Sequence, residues 1–118
     1  MIQTTPHMRV LVAREPIDFR TRGRGTAAIV RNVLELDPLA GTLFVFRSKN
    51  GKAIRLLIYD GQGLFCADKV LSSGTYRHWE GFDDGARAQS IEPHQLQALI
   101  MAGDWTRLMF PGYWRKIS

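Results

Sequence analysis

The apolar positions fall into short dense runs separated by turn residues. Arg9–Ala13 (RVLVA) is aliphatic and β-branched and predicts a short strand that Pro16 ends. Asp18 is a candidate helix N-cap, because a short oxygen-bearing side chain accepts from the free amides of a first turn. A helix from about Phe19 to Leu36 would bury Phe19, Gly23, Ala27, Val30, Val33 and Leu34, as a 3.6-residue period requires. Gly23 and Gly25 each weaken such a helix by about 1 kcal/mol relative to Ala, which allows a start as late as Thr26. Asp37-Pro38 and Gly41 make the exit turn. Four strand-like runs follow: Thr42–Arg47, Ala53–Asp60, Leu64–Leu71 and Thr75–Glu80. The turns between them carry Asn50-Gly51, Asp60-Gly61-Gln62-Gly63 and Ser72-Ser73-Gly74. Asn50-Gly51 is a strong hairpin signal, since both residues tolerate the positive φ of a type I′ turn. Residues 81–90 read as a loop, and Pro93 suits the first position of a helix to about Ala102, capped by Gly103. Leu96, Leu99 and Ile100 would face its core.

This pattern predicts an α+β fold: an antiparallel meander sheet of four to five strands, one long helix in the N-terminal half and one shorter C-terminal helix. Residues 1–118 read as a single domain, with a loose lead-in over 1–8 and an aromatic tail over 106–118. Trp105, Phe110, Tyr113 and Trp114 are candidate partner-binding residues in or beside that tail.

Composition narrows the class. The chain has 118 residues, 45% of them apolar and 23% charged, enough for one core without staples. The densest apolar run, Leu56-Leu57-Ile58-Tyr59, is far short of the roughly 20 residues of a membrane helix. Met1–Met8 is polar and lacks the apolar segment of a signal peptide. A lone cysteine, Cys66, excludes an internal disulfide and fits a reducing setting, so the expected location is cytoplasmic, with no membrane partner.

Charge is uneven. Residues 1–55 hold ten Lys/Arg against four Asp/Glu, a net +6, whereas residues 56–118 hold six against seven. Arg20, Arg24 and Arg31 fall on one stripe of an early-starting helix, with Arg22 pointing elsewhere. Arg47, Lys49, Lys52 and Arg55 surround the Asn50-Gly51 turn. A basic hairpin tip follows phosphates well, and Arg offers phosphate a planar fork. The competing explanation is that Lys and Arg sit at hairpin edges to block aggregation. Tyr76, His78 and Trp79 beside Arg77 suit either base stacking or, more commonly at strand spacing, a core.

Bond-breaking chemistry finds less support. Asp60, Asp68 and Asp104 are the only motivation for a small metal-dependent nuclease, and they lack the placement that would hold two ions about 4 Å apart. His7, Cys66, His78 and His94 have no zinc-ligand spacing. Cys66 reads as a small buried hydrophobe, although Cys66 and His78 in neighbouring strands would also suit a nucleophile pair. Gly23–Ala28 fits GxGxxA, but a dinucleotide loop wants an immediate strand-to-helix turn and a parallel βαβ unit, where a hairpin series is expected. No catalytic residue, metal or cofactor is therefore expected.

Larger pieces of the chain recur together. Asp18-Phe19-Arg20, Gly41-Thr42-Leu43-Phe44-Val45-Phe46, Leu57–Leu64 with its D-G-x-G-L turn, Lys69, Leu96–Ile100 and Gly103-Asp104-Trp105 stand in one order. Together they resemble the second-open-reading-frame accessory proteins, often called TnpB, of the bacterial insertion-sequence-sixty-six transposon family. The resemblance spans about Met8 to Trp105. It implies a non-catalytic accessory protein of DNA transposition, with a separate larger transposase carrying the chemistry. The implied partners are DNA at the transposon ends, the catalytic transposase, or both. The candidate DNA-binding residues are then Arg20, Arg22, Arg24, Arg31, Arg47, Lys49, Lys52, Arg55 and Lys69. The alternative is a protein-interaction scaffold of the transposition complex, without direct DNA contact.

Overall fold

A computed structural model describes residues 8–102. Five strands and two helices follow one another as β1 (Val10–Ala13), α1 (Gly23–Asn32), β2 (Leu43–Arg47), β3 (Ala53–Tyr59), β4 (Leu64–Val70), β5 (Ala88–Ile91) and α2 (Pro93–Ile100). The sheet order is β4-β3-β2-β1-β5. β2, β3 and β4 form the expected antiparallel meander. β1 instead lies parallel to β2, with Leu11 opposite Phe44, and α1 crosses between them. The fold is thus α+β with a mostly antiparallel sheet and one parallel pair.

The central strands explain themselves. β1 is buried at all four positions and β2 at its first four, the continuous apolar run of strands covered on both faces. Leu11, Phe44, Phe46 and Leu57 meet α1 through Ala27 and Val30 on one face. Val10, Val12, Val45 and Ile54 meet α2 through Leu96 and Leu99 on the other. β4 is an edge, and its residues are half-buried or exposed.

Several expectations need correction. Thr75–Glu80 is not a strand: Tyr76 N–H bonds to the Gly51 carbonyl (2.7 Å), which carries the chain across the β2–β3 hairpin instead of alongside β4. Tyr76 and Trp79 are three apart, not two, and both turn into the core, where the Trp79 indole N–H donates to the Ala13 carbonyl (2.9 Å). The fifth strand comes from Ala88–Ile91, part of the expected loop, paired antiparallel with β1.

The first helix is shorter than the apolar period suggests. It opens at Gly23 and ends at Asn32, and Val33 is 51% exposed instead of buried. Glu35 leaves it in the left-handed region (φ 58°), and Arg87 Nη1 donates to the Val33 carbonyl (2.7 Å). The Asn50-Gly51 turn is not type I′ either. Gly51 alone has positive φ (73°), closing a Ser48–Gly51 turn in a five-residue loop. Cys66, finally, is exposed on β4.

The second helix forms close to its expected span. Pro93 is its first residue, and Gln95 Oε1 accepts from the Glu92 N–H (2.8 Å). Trp105, Phe110, Tyr113 and Trp114, together with Gly103 and Asp104, lie outside the described residues.

Candidate nucleic-acid interface

The two basic segments, far apart in sequence, share one groove. Ile17 bridges in parallel to Ser48, and its N–H donates to the Arg47 carbonyl (2.9 Å). This lays the chain entering α1 alongside the β2–β3 loop. Between them runs an open groove of about 640 Å³, walled by residues 17–20 and Arg22 on one side and Ser48–Asn50 on the other.

Local hydrogen bonds fix both walls. In the hairpin, Asn50 Oδ1 accepts from the Lys52 N–H (2.9 Å) and the Ser48 hydroxyl (2.8 Å), while Ser48 Oγ accepts from the Ala53 N–H (3.0 Å). Lys49 and Lys52 are left exposed at the tip. In the other wall, Asp18 Oδ1 accepts from the Arg20 N–H (2.9 Å), an Asx turn rather than the expected helix cap.

That wall is anchored to the sheet by Arg55. Its side chain is 1% exposed, in the middle of β3. Nε and Nη2 fork onto the Asp68 carboxylate at 2.7 and 2.9 Å. Nη2 also donates to the Phe19 carbonyl (2.9 Å), and Nη1 donates to Thr26 Oγ1 (2.9 Å) and to the Thr21 carbonyl. The guanidinium stacks 4.4 Å from the Phe19 ring centroid. Asp68 holds this guanidinium more firmly protonated than an ordinary arginine. Arg55 is therefore a structural tie and not a surface cation.

Two more candidates are committed internally. Arg47 stacks 5.1 Å from the Trp79 ring on the opposite face of the sheet and donates to the Tyr76 carbonyl (3.2 Å). Burial lowers its affinity for a proton, and its Nε has no hydrogen-bond partner. Lys69 Nζ donates to the Ile100 carbonyl (2.7 Å), completing the C-terminus of α2 together with the Tyr76 hydroxyl (3.3 Å).

The remaining six candidates are exposed. Arg22, Arg24, Arg31, Lys49 and Lys52 make no ion pair with any described residue. Arg20 pairs with Asp18, whose carboxyl the Arg20 guanidinium holds down at about 2. Arg22 immediately precedes α1, and the first turn of that helix has neither an acidic residue nor a side-chain cap. Its uncompensated amides add positive partial charge beside Arg22 and Arg24. Arg31 lies about 10 Å farther along the helix.

The carboxylates serve turns and pairs. Asp60 accepts from the Gln62 and Gly63 N–H groups (2.9 and 3.0 Å), which lowers its proton affinity, and Asp68 is held by Arg55. Among the described residues, no three His, Cys, Asp or Glu side chains gather to hold a metal ion. Partial desolvation raises the exposed Cys66 thiol, and the neighbouring strand expected to carry His78 does not form. The GxGxxA run does open a helix inside a parallel crossover, contrary to the expected hairpin series. Nine residues nevertheless separate β1 from α1, and β2 ends in Arg47 instead of the acidic residue that would hold a ribose.

Position beside the hairpin makes Arg55 look like a surface cation, yet two signals in the sequence mark it otherwise. It stands alone among apolar residues of a central strand, where an unpaired charge is prohibitive. Counting back from the Asp60–Gly63 turn also places Asp68 directly opposite it, as the register has it.

No solved structure matches the chain. Two relatives from Sinorhizobium fredii do. The uncharacterized protein y4jC is 36% identical over 108 residues, covering 92% of this chain and 90% of its own. The uncharacterized protein y4hO is 36% identical over 105 residues, covering 89% of each. Among the described residues, no helix is long and apolar enough to cross a membrane. The family described as IS66 Orf2 like protein matches residues 8–109, and the chain accordingly belongs to this family of transposition-associated accessory proteins of insertion sequences.

Proposed function

We propose that this protein is a non-catalytic accessory component of transposition that holds DNA through phosphate contacts at the groove between residues 17–22 and the β2–β3 hairpin. The observation that carries the reading is convergence: Arg20, Arg22 and Lys49 come from segments 27 or more residues apart and line one groove. Lys52 and Arg24 extend the exposed positive charge on either side. Edge protection alone does not account for this, because the sheet edges are β4 and β5, whereas the hairpin joins interior strands.

The test is a salt titration with labelled element-end DNA. Each phosphate contact contributes about 0.9 to the slope of log affinity against log salt, so Lys49→Ala with Lys52→Ala flattens the slope by up to about 1.8. Absence of binding at low salt overturns the reading. A scaffold role is the second reading, favoured by the exposed Val70 on edge strand β4 and by Met101 at the end of α2. Under that reading the larger transposase co-purifies with the full chain, and deletion of residues 106–118 removes it if the tail is the contact.

A further inference from the structure

Among the described residues, one carboxylate lines the groove beside its cations. Asp18 accepts from Arg20 Nε at 3.1 and 3.0 Å and from Nη2 at 2.6 Å, the two-point geometry with which a guanidinium takes phosphate. The Arg20 N–H fixes the same carboxylate from behind at 2.9 Å. Among the described residues, Asp18 is the only acidic one lining the groove, and Lys49 and Arg22 line it too. The Arg20 side chain is 91% exposed and that of Asp18 37% exposed. An ion pair so open to water is held weakly and exchanges readily.

We infer that Asp18 is a specificity-determining residue: it occupies Arg20 in place of a phosphate, so that DNA binds fully only where a backbone phosphate is placed to displace it. The inference rests on the reading of this groove as a DNA contact. Nonspecific duplex, which offers phosphates without fixed placement, engages Lys49 and Arg22 but gains little from Arg20. A site whose backbone follows the groove gains the Arg20 contact as well. The carboxylate thus suppresses loose binding more than it suppresses fitted binding.

Asp18→Asn isolates the charge, because its side-chain carbonyl still accepts from the Arg20 N–H. The probe is random-sequence duplex, titrated at several salt concentrations alongside Arg20→Ala and the double variant. Asp18→Asn is expected to bind more tightly, with a salt slope steeper by about 0.9, as one more phosphate is engaged. Over a rise from about 50 to about 200 mM salt, that slope corresponds to roughly 3.5-fold. Arg20→Ala is expected to cost more in the Asp18→Asn background than in the wild type. Asp18→Ser, whose hydroxyl accepts the same N–H, gives the answer independently should the Asn variant fail to fold. If removal of the carboxylate leaves affinity and slope unchanged while Lys49→Ala still weakens binding, the role of Asp18 is overturned and the DNA reading stands. If no variant binds duplex at low salt, the DNA reading itself fails.

Discussion

At the scale of single residues, the nine cations divide by what else they touch. Arg55 illustrates the cost of burial. Its guanidinium satisfies Asp68, Thr26 and two loop carbonyls, so Arg55→Ala leaves the partly exposed Asp68 carboxylate without its partner and empties the site. Breaking a fully buried pair from one side costs about 3–5 kcal/mol; because Asp68 keeps part of its hydration, denaturant unfolding of Arg55→Ala should show a loss near the lower end, about 3 kcal/mol. Asp18 is the opposite case, an exposed carboxylate with an electrostatic signature. Its carboxyl drops from an ordinary 3.8 to about 2 beside Arg20, but an exposed pair adds little to stability, so the small contribution present above pH 3.8 disappears as pH falls through 2. Asp18→Asn should therefore flatten that part of the acid-unfolding profile, read by circular dichroism against pH. Residue types and spacing made the cations visible in the sequence. Their availability was not visible, because it depends on partners such as Asp68, Trp79 and the Ile100 carbonyl that long-range folding supplies.

At the scale of elements, regular periodicity was legible and irregular segments were not. The meander followed from three apolar runs and two glycine turns, and α2 from Pro93 and its Leu96–Leu99 face. Thr75–Glu80 misled because its aromatic residues look strand-like, whereas Tyr76 and Trp79 both point into one core. β5 carries only Ile91 as a buried apolar residue, so β1 decides its state and local preference does not. The start of α1 shows a similar contest. A helix beginning with two glycines is locally poor, but a Cβ at position 25 would lie 1.8 Å from Thr21 Cγ2. Gly25→Ala gains up to about 1 kcal/mol of helix propensity. The overpacking costs about 1–3 kcal/mol, so a net loss in thermal stability is expected. Thr21→Ser removes the Cγ2 atom and should restore most of it, as a double-mutant cycle would measure.

At the scale of the whole molecule, the positive excess of residues 1–55 becomes a surface feature only because β1 lies parallel to β2. That pairing places the entrance to α1 next to the hairpin, and nothing in the local sequence announces it. Arg47 lies on the opposite face of the sheet, and Lys69 on edge strand β4 is tied to the end of α2. Substituting either by Ala should leave the salt dependence of DNA binding near that of the wild type, in contrast to Lys49→Ala with Lys52→Ala. Equal flattening by both sets would mean that charge acts diffusely and not through the groove.

Surface loops usually absorb inserted residues without harm. Here the Ile17–Ser48 bridge welds the two loops at their base, so the tolerance is lopsided. Extra residues beyond Asn50 would leave that bridge in place, although they would break the Asn50–Lys52 bond and shift the Gly51 carbonyl that Tyr76 uses. The same addition after Pro16 would strain the seam itself and leave Arg55, through the Phe19 and Thr21 carbonyls, to hold Arg20 and Arg22 beside Lys49, which makes that short seam the place where this surface is most easily retuned.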